Sequence, residues 1–153
     1  MTDRSRRMLA ELDAAAIQTF LDFLTRLDDA LKDDQYIVWE GRRSMQVQEA
    51  YYMQGRKTLE EVNWYREKAG LYLLRSSNDN YVITWTLKSK HIDGFAMDVL
   101  PVNGSGNPTW DLAHYRSKFE TIRNCGRAVG LECGADWPAK NKDWPHYEIK
   151  QAG

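Results

Sequence analysis

Gly94-Phe95-Ala96-Met97-Asp98-Val99-Leu100-Pro101-Val102 alternates so that Phe95, Met97 and Val99 fall on one side of an extended chain and Ala96, Asp98 and Leu100 on the other. The pattern predicts a strand with the carboxylate of Asp98 inside it. Upstream, Tyr81–Thr86 is β-prone, and Ser76-Ser77-Asn78-Asp79-Asn80 before it reads as a loop rather than a domain linker. Thr58 to Lys68 predicts a short helix ending near Gly70, and Ser44 opens a segment with Val47, Tyr51 and Tyr52 at helical spacing. Tyr36-Ile37-Val38-Trp39 is a second β-prone run. Before it, Ile17, Phe20, Leu21, Leu24, Leu27 and Leu31 recur at steps of three and four, the mark of an amphipathic helix over Asp13 to Leu31. Downstream, Asn103-Gly104-Ser105-Gly106-Asn107-Pro108 is turn-rich, and Leu112, Tyr115, Phe119, Ile122 and Val129 trace a long helix closed by Gly130. Pro145 disfavours helix at Trp144, so the tail from Asp143 to Ile149 is expected to be extended.

At 153 residues the chain affords one core, and residues 1–153 are expected to form a single domain. Apolar residues at 42% and charged residues at 28% are those of an ordinary folded domain, which argues against disorder, collagen and coiled coil. With 21 Lys and Arg against 22 Asp and Glu, and no basic block, nucleic acid is excluded as the expected partner. Arg4, Arg6 and Arg7 could open a signal peptide, but Glu11, Asp13 and Asp22 interrupt the apolar stretch that would follow. Neither a signal peptide nor membrane insertion is therefore expected. Cys125 and Cys133 are too few and wrongly spaced for a disulfide framework or a metal knuckle, and read as packed thiols.

The chain lacks an HExxH helix, a GxSxG elbow, a Walker loop and a GxGxxG fingerprint. What it offers instead is His91, Asp98 and His146, with Asp143 three residues before the last histidine. A catalytic zinc takes three protein ligands and keeps a fourth position for water, and two histidines with one aspartate match that count. A single carboxylate leaves the site net cationic, and a nearby second one, Asp143, can shuttle a proton. The proline in Asp143-Trp144-Pro145-His146 offers a bend that would bring both ends of that segment to one metal. On residue types alone the plainer account prevails, because exposed aspartates and half-buried histidines are common without any ion. Gly94 then marks only a bulge or a close approach of backbones.

Two motifs change the balance. Ser89-Lys90-His91-Ile92-Asp93-Gly94-Phe95-Ala96-Met97-Asp98 resembles the Ser-x-His-x-x-Gly-x-Ala-x-Asp signature of the zinc peptidases that include D-Ala-D-Ala carboxypeptidases and phage L-alanyl-D-glutamate endopeptidases. Asp143-Trp144-Pro145-His146-Tyr147-Glu148 resembles their second signature, Asp-x-Pro-His-aromatic-Glu. A third block, Gly41-Arg42-Arg43-Ser44, Gln48 and Tyr52-Met53-Gln54-Gly55-Arg56, is similar to a run of the endopeptidase branch, with Tyr51 in place of the usual Leu. Gly134-Ala135-Asp136-Trp137 resembles that family's Gly-Gly-Asp-Trp loop, with Ala135 for the second Gly. The likeness spans roughly residues 36–150.

The resemblance implies an α+β fold of the hedgehog/DD-peptidase kind, an antiparallel sheet carrying a zinc site and packed against helices. It implies one Zn2+ on His91, Asp98 and His146, Asp143 as general base, and Arg43 steadying the oxyanion, where the alternative for Arg43 is a solvated turn residue. Ser89 would orient a ligand or touch substrate, or else bond its own backbone; Glu148 fills a family position that ordinary strand charge also explains. Trp137 and Trp144 would line a cleft or wedge in the core, and His114 matches nothing. The implied activity is hydrolysis of the L-alanyl-D-glutamate bond of the peptidoglycan stem peptide by a monomeric lysin, made in the bacterial cytoplasm and reaching the wall once the inner membrane is breached. A D-Ala-D-Ala carboxypeptidase and a non-catalytic, metal-bearing wall-binding or virion-structural module are the alternatives.

Overall fold

The computed structural model describes residues 1–150, and the chain divides into two compact units. The first is built from Met1–Arg42 and from Asp93 to the end of the described chain; the second is Arg43–Ile92.

The first unit holds helices α1 (Asp3–Ala10) and α2 (Ala14–Ala30) and strand β1 (Tyr36–Glu40). After the second unit it resumes with β2 (Ala96–Pro101), α6 (Leu112–Ala128), β3 (Leu131–Cys133) and β4 (His146–Ile149). The second unit contains α3 (Met45–Met53) and α4 (Leu59–Lys68), and a single turn of helix, α5 (Lys90–Asp93), closes it. The sheet order is β1-β2-β4-β3, antiparallel throughout. The α+β fold with an antiparallel sheet, expected from the resemblance, is therefore the fold observed.

The 94–102 stretch carries β2, one of the two inner strands, as its alternation predicts. Met97 and Val99 point into a core with Phe20, Phe23, Leu24 and Leu27 of α2 and Ile122 of α6, and Tyr147 of β4 packs its ring 4.8 Å from Phe23. Fully burying each such side chain is worth about 1.5–3 kcal/mol, so the helices are fixed on this face of the sheet. Asp98 points to the opposite side, paired in register with His146. Gly94 has φ +80°, a Cβ there would stand 2.6 Å from the Asp13 backbone nitrogen, and Asp13 N–H donates to the Gly94 carbonyl at 3.0 Å. It marks a close backbone approach. Cys125 and Cys133 are both free, and burial pushes the Cys133 thiol up to about 11.

The second unit is organised differently. Thr58 caps α4 with a reciprocal capping box to Glu61. Tyr81–Thr86, β-prone by composition, lies outside the sheet, because side-chain amides occupy carbonyls that a neighbouring strand would use. Gln54 Nε2 donates to the Tyr81 carbonyl at 3.2 Å, and Gln48 Nε2 to that of Thr86 at 2.7 Å.

Candidate metal centre

The pairing of β2 with β4 sets Asp98 opposite His146, and the Nδ1 of His146 stands 3.3 Å from Asp98 Oδ1. The other ring nitrogen, Nε2, lies 2.9 Å from Glu148 Oε1. In the absence of an ion both ring nitrogens face carboxylates, which favours the doubly protonated ring; a metal on Nδ1 would displace that proton and leave Nε2 donating to Glu148. A carboxylate behind the imidazole is the usual way a ligating histidine has its tautomer and orientation fixed. Burial alone would lower the pKa of His146, but the Asp98 and Glu148 carboxylates, with Asp143 adding to them through space, raise it to about 9.

His91 is buried, and its backbone N–H donates to Ser89 Oγ at 3.2 Å, so Ser89 starts the short turn that carries it. The His91 carbonyl accepts from the Arg43 backbone N–H at 2.8 Å. His91, Asp98 and His146 each offer one ligand atom, and these atoms all lie within 4.8 Å of one another. Bonds of about 2.0–2.1 Å to a tetrahedral ion imply ligand-to-ligand edges of about 3.3 Å, which the Asp98 to His146 separation matches. Two imidazoles and one carboxylate of this burial fit a divalent ion of the zinc class, while an all-oxygen ion such as Mg2+ would find too few oxygens.

Asp143 is exposed and sits just before the bend the proline offered. The His146 N–H donates to the Asp143 carbonyl at 3.1 Å and closes a turn over 143–146. Gly134 holds that turn from the other side. Asp143 N–H donates to the Gly134 carbonyl at 2.9 Å, and a Cβ on Gly134 would stand 2.2 Å from the Asp143 carbonyl oxygen. No side chain fits there. Trp137 packs its ring 5.0 Å from that of His146, on the metal-site side rather than in the core. Trp144 lies 6.1 Å from Phe119, with the guanidinium groups of Arg116 and Arg123 at 5.4 and 5.1 Å from its ring. His114 faces solvent on α6, its Nδ1 2.6 Å from Asp111 Oδ2.

Arg43, within the second unit, donates through Nη1 to Gln48 Oε1 at 2.5 Å, and its guanidinium stands 5.0 Å from the ring centre of Tyr51. A fully buried Gln48 thus grips Arg43 with its oxygen and the Thr86 carbonyl with its nitrogen. Sequence reasoning assigned no task to Gln48 or Gly134. The signals were present, a glutamine on the inner side of α3 and a glycine opening the Gly134-Ala135-Asp136-Trp137 loop, but both act through contacts distant in sequence.

His91 in α5, with Asp98 and His146 on the facing strands β2 and β4, forms a group that could hold a metal ion, and two imidazoles with one carboxylate are the donor set that hydrolytic zinc sites use. A family model described as D-alanyl-D-alanine carboxypeptidase matches residues 83–149, the segment that holds both signature motifs. The resemblance to this peptidase family is thereby borne out over that segment. The crystal structure of the Serratia marcescens L-Ala D-Glu endopeptidase ChiX shares the fold, with a TM-score of 0.59 at 22% identity over 98% of this chain and 89% of that one. No curated protein matches the sequence.

Proposed function

We propose that this chain is a zinc-dependent peptidoglycan peptidase that hydrolyses the L-alanyl-D-glutamate bond of the stem peptide and so brings about bacterial lysis, with one ion on His91, Asp98 and His146. The observation that carries the reading is the gathering of those three ligand atoms within 4.8 Å, each from a motif position of a peptidase family. The choice of bond is supported by the fold shared with an L-Ala D-Glu endopeptidase.

When bound, zinc supplies Lewis acidity that polarises an amide carbonyl and acidifies water. The chain's own residues do the rest. Glu148 would keep a proton on Nε2 of His146 and so present Nδ1, which faces Asp98, as the ligand atom. Asp143, exposed on a fixed turn, takes the proton of the attacking water and returns it to the leaving amine. Arg43, oriented by Gln48, offers N–H donors to the carbonyl oxygen as negative charge builds on it.

The test is digestion of purified sacculi, with mass spectrometry of the products and metal analysis of the protein. Peptides beginning at D-glutamate, lost on chelation and regained with zinc, are the expected result; full activity after exhaustive metal removal would sink the proposal. The family model's own description favours a second reading, a D-Ala-D-Ala carboxypeptidase, whose only product would be free terminal alanine. A non-catalytic wall-binding module would leave a suspension of permeabilised cells turbid.

A further inference from the structure

The second unit carries a run of exposed apolar side chains between residues 72 and 87. From Tyr81 to Trp85 exposure alternates, with Val82 and Thr84 half-buried and Tyr81, Ile83 and Trp85 exposed; Thr86 and Leu87 beyond them are both exposed. The inward side is fixed by close packing, since a Cβ on Gly55 would meet the Val82 nitrogen at 2.3 Å, and Gln48 holds the Thr86 carbonyl. The outward side is therefore a stable feature of the fold. Tyr72 and Leu73, on the preceding loop, are exposed as well, and Arg66 ties that loop to this segment by donating to the Tyr72 carbonyl and to Gln54, which in turn holds the Tyr81 carbonyl; Tyr72 is 93% exposed and Trp85 79%.

Cations accompany these side chains. Arg75 and Lys88 are exposed, Arg56 stands 5.5 Å from the Trp85 ring, and Asp79 is the only acid between residues 69 and 92. The unit as a whole has eight Lys and Arg against five Asp and Glu, net +3 in a chain of net −1.

We infer that the exposed Tyr72, Leu73, Tyr81, Ile83, Trp85 and Leu87, flanked by Arg75 and Lys88, form a peripheral docking surface for an anionic phospholipid membrane. Trp and Tyr with basic neighbours are the side chains that settle at a bilayer interface, where rings lie among headgroups and cations meet phosphate. A glycan would use the flat rings but has no use for three branched aliphatics, Leu73, Ile83 and Leu87, which acyl chains accommodate. The charge of the unit complements an acidic leaflet and not a neutral one. Such docking would hold the chain in the thin space between a membrane and the wall beside it. It goes beyond the hydrolytic reading and does not depend on it.

The experiment is co-sedimentation of the full chain with vesicles of three parts phosphatidylethanolamine to one part phosphatidylglycerol, against vesicles of phosphatidylcholine alone, at an ionic strength of about 0.1 M. Several-fold greater binding to the anionic vesicles is expected. The I83S/W85S double variant should weaken that binding at least tenfold, and R75E/K88E should reduce it to the level seen with phosphatidylcholine. Circular dichroism melts and zinc uptake report folding; should I83S/W85S fail to fold, the charge-reversed variant alone decides. The inference is overturned if the wild type sediments with neither vesicle, if it binds both equally, or if the variants bind as the wild type does. It is also overturned if I83S/W85S loses binding to purified sacculi while the wild type ignores vesicles, because the occupant is then the glycan. Release of peptides from soluble muropeptides, measured in parallel, separates failure of this inference from failure of the hydrolytic reading.

Discussion

The two units of this chain are stabilised by different means. In the first, α2, α6 and the sheet enclose a cluster from Leu9 to Tyr147, whereas in the second only Ala50 and Val62 are buried apolar residues. The second unit is tied instead by side chains gripping backbone: Gln48 on Thr86, Gln54 on Tyr81, Asn63 on both N–H and carbonyl of Leu74, Asn80 on the Gly55 N–H. Each such bond contributes only about 0.5–1.5 kcal/mol net, against about 1.5–3 for a buried Leu or Phe. One unit thus supplies a stiff sheet for Asp98, His146 and Asp143, and the other a polar framework for Arg43 and the turn that ends in His91.

The sharpest way to break the comparison is at the stiff side. D143N should retain zinc by metal analysis yet lose about 10²- to 10⁴-fold in turnover, as expected when a general base is removed, whereas H146A should lose both metal and activity. Metal-free D143N protein would mean that Asp143 is a ligand rather than a base. Next in size, G134A forces the Asp143 turn to move, because the new methyl would occupy the place of the Asp143 carbonyl oxygen. Zinc content should stay near one per chain while kcat falls at least tenfold with KM little changed; equal loss of metal would make Gly134 a general structural residue.

On the softer side, Q48L removes an acceptor from Arg43 and a donor from the Thr86 carbonyl inside a buried setting. Leaving such groups unsatisfied costs about 1–3 kcal/mol, a shift visible in a denaturant midpoint. Q48E keeps the acceptor but loses the donor, so it should restore turnover more than it restores stability. A readout free of mutation is amide exchange. Amides of 71–88 should exchange well before those of β2 and β4, and equal protection would show that polar ties hold the second unit as firmly as the core holds the first.

Legibility from sequence followed the same division. Where burial sets the pattern, it could be read directly: the spacing of Phe20, Leu24 and Leu27 gave α2, and the alternation over 94–102 gave β2. Where polar contacts decide, it could not. Tyr81–Thr86 has strand composition but no place in the sheet, because Gln48 and Gln54 claim its carbonyls from far along the chain. The ligand set was legible only through the motifs, since two histidines and an aspartate carry no pattern of their own. Their convergence is a product of sheet register, Asp98 against His146, and of the Ser89 turn. The bend at Asp143 was half legible, its proline in the sequence and its glycine clamp visible only in three dimensions.

The smallest expected effect tests a polar tie within the stiff unit. Arg127, at the end of α6, forms a two-pronged ion pair with Asp136, the residue before Trp137. The hydrogen bonds from Arg127 hold the Asp136 carboxyl below its ordinary value of 3.8. A carboxyl whose folded pKa is depressed contributes stability above its unfolded pKa, and that contribution disappears as pH falls through the folded value. Both side chains are well exposed, so screening keeps the pair below about 1 kcal/mol. D136N should therefore melt slightly below the wild type from pH 5 to 8, by a constant margin, and the two should converge as the pH is lowered beneath about 4. Calorimetry with both proteins in chelator removes the metal from the comparison. A margin that persisted in acid would show that Asp136 acts through shape or its neutral hydrogen bonds, and not through charge.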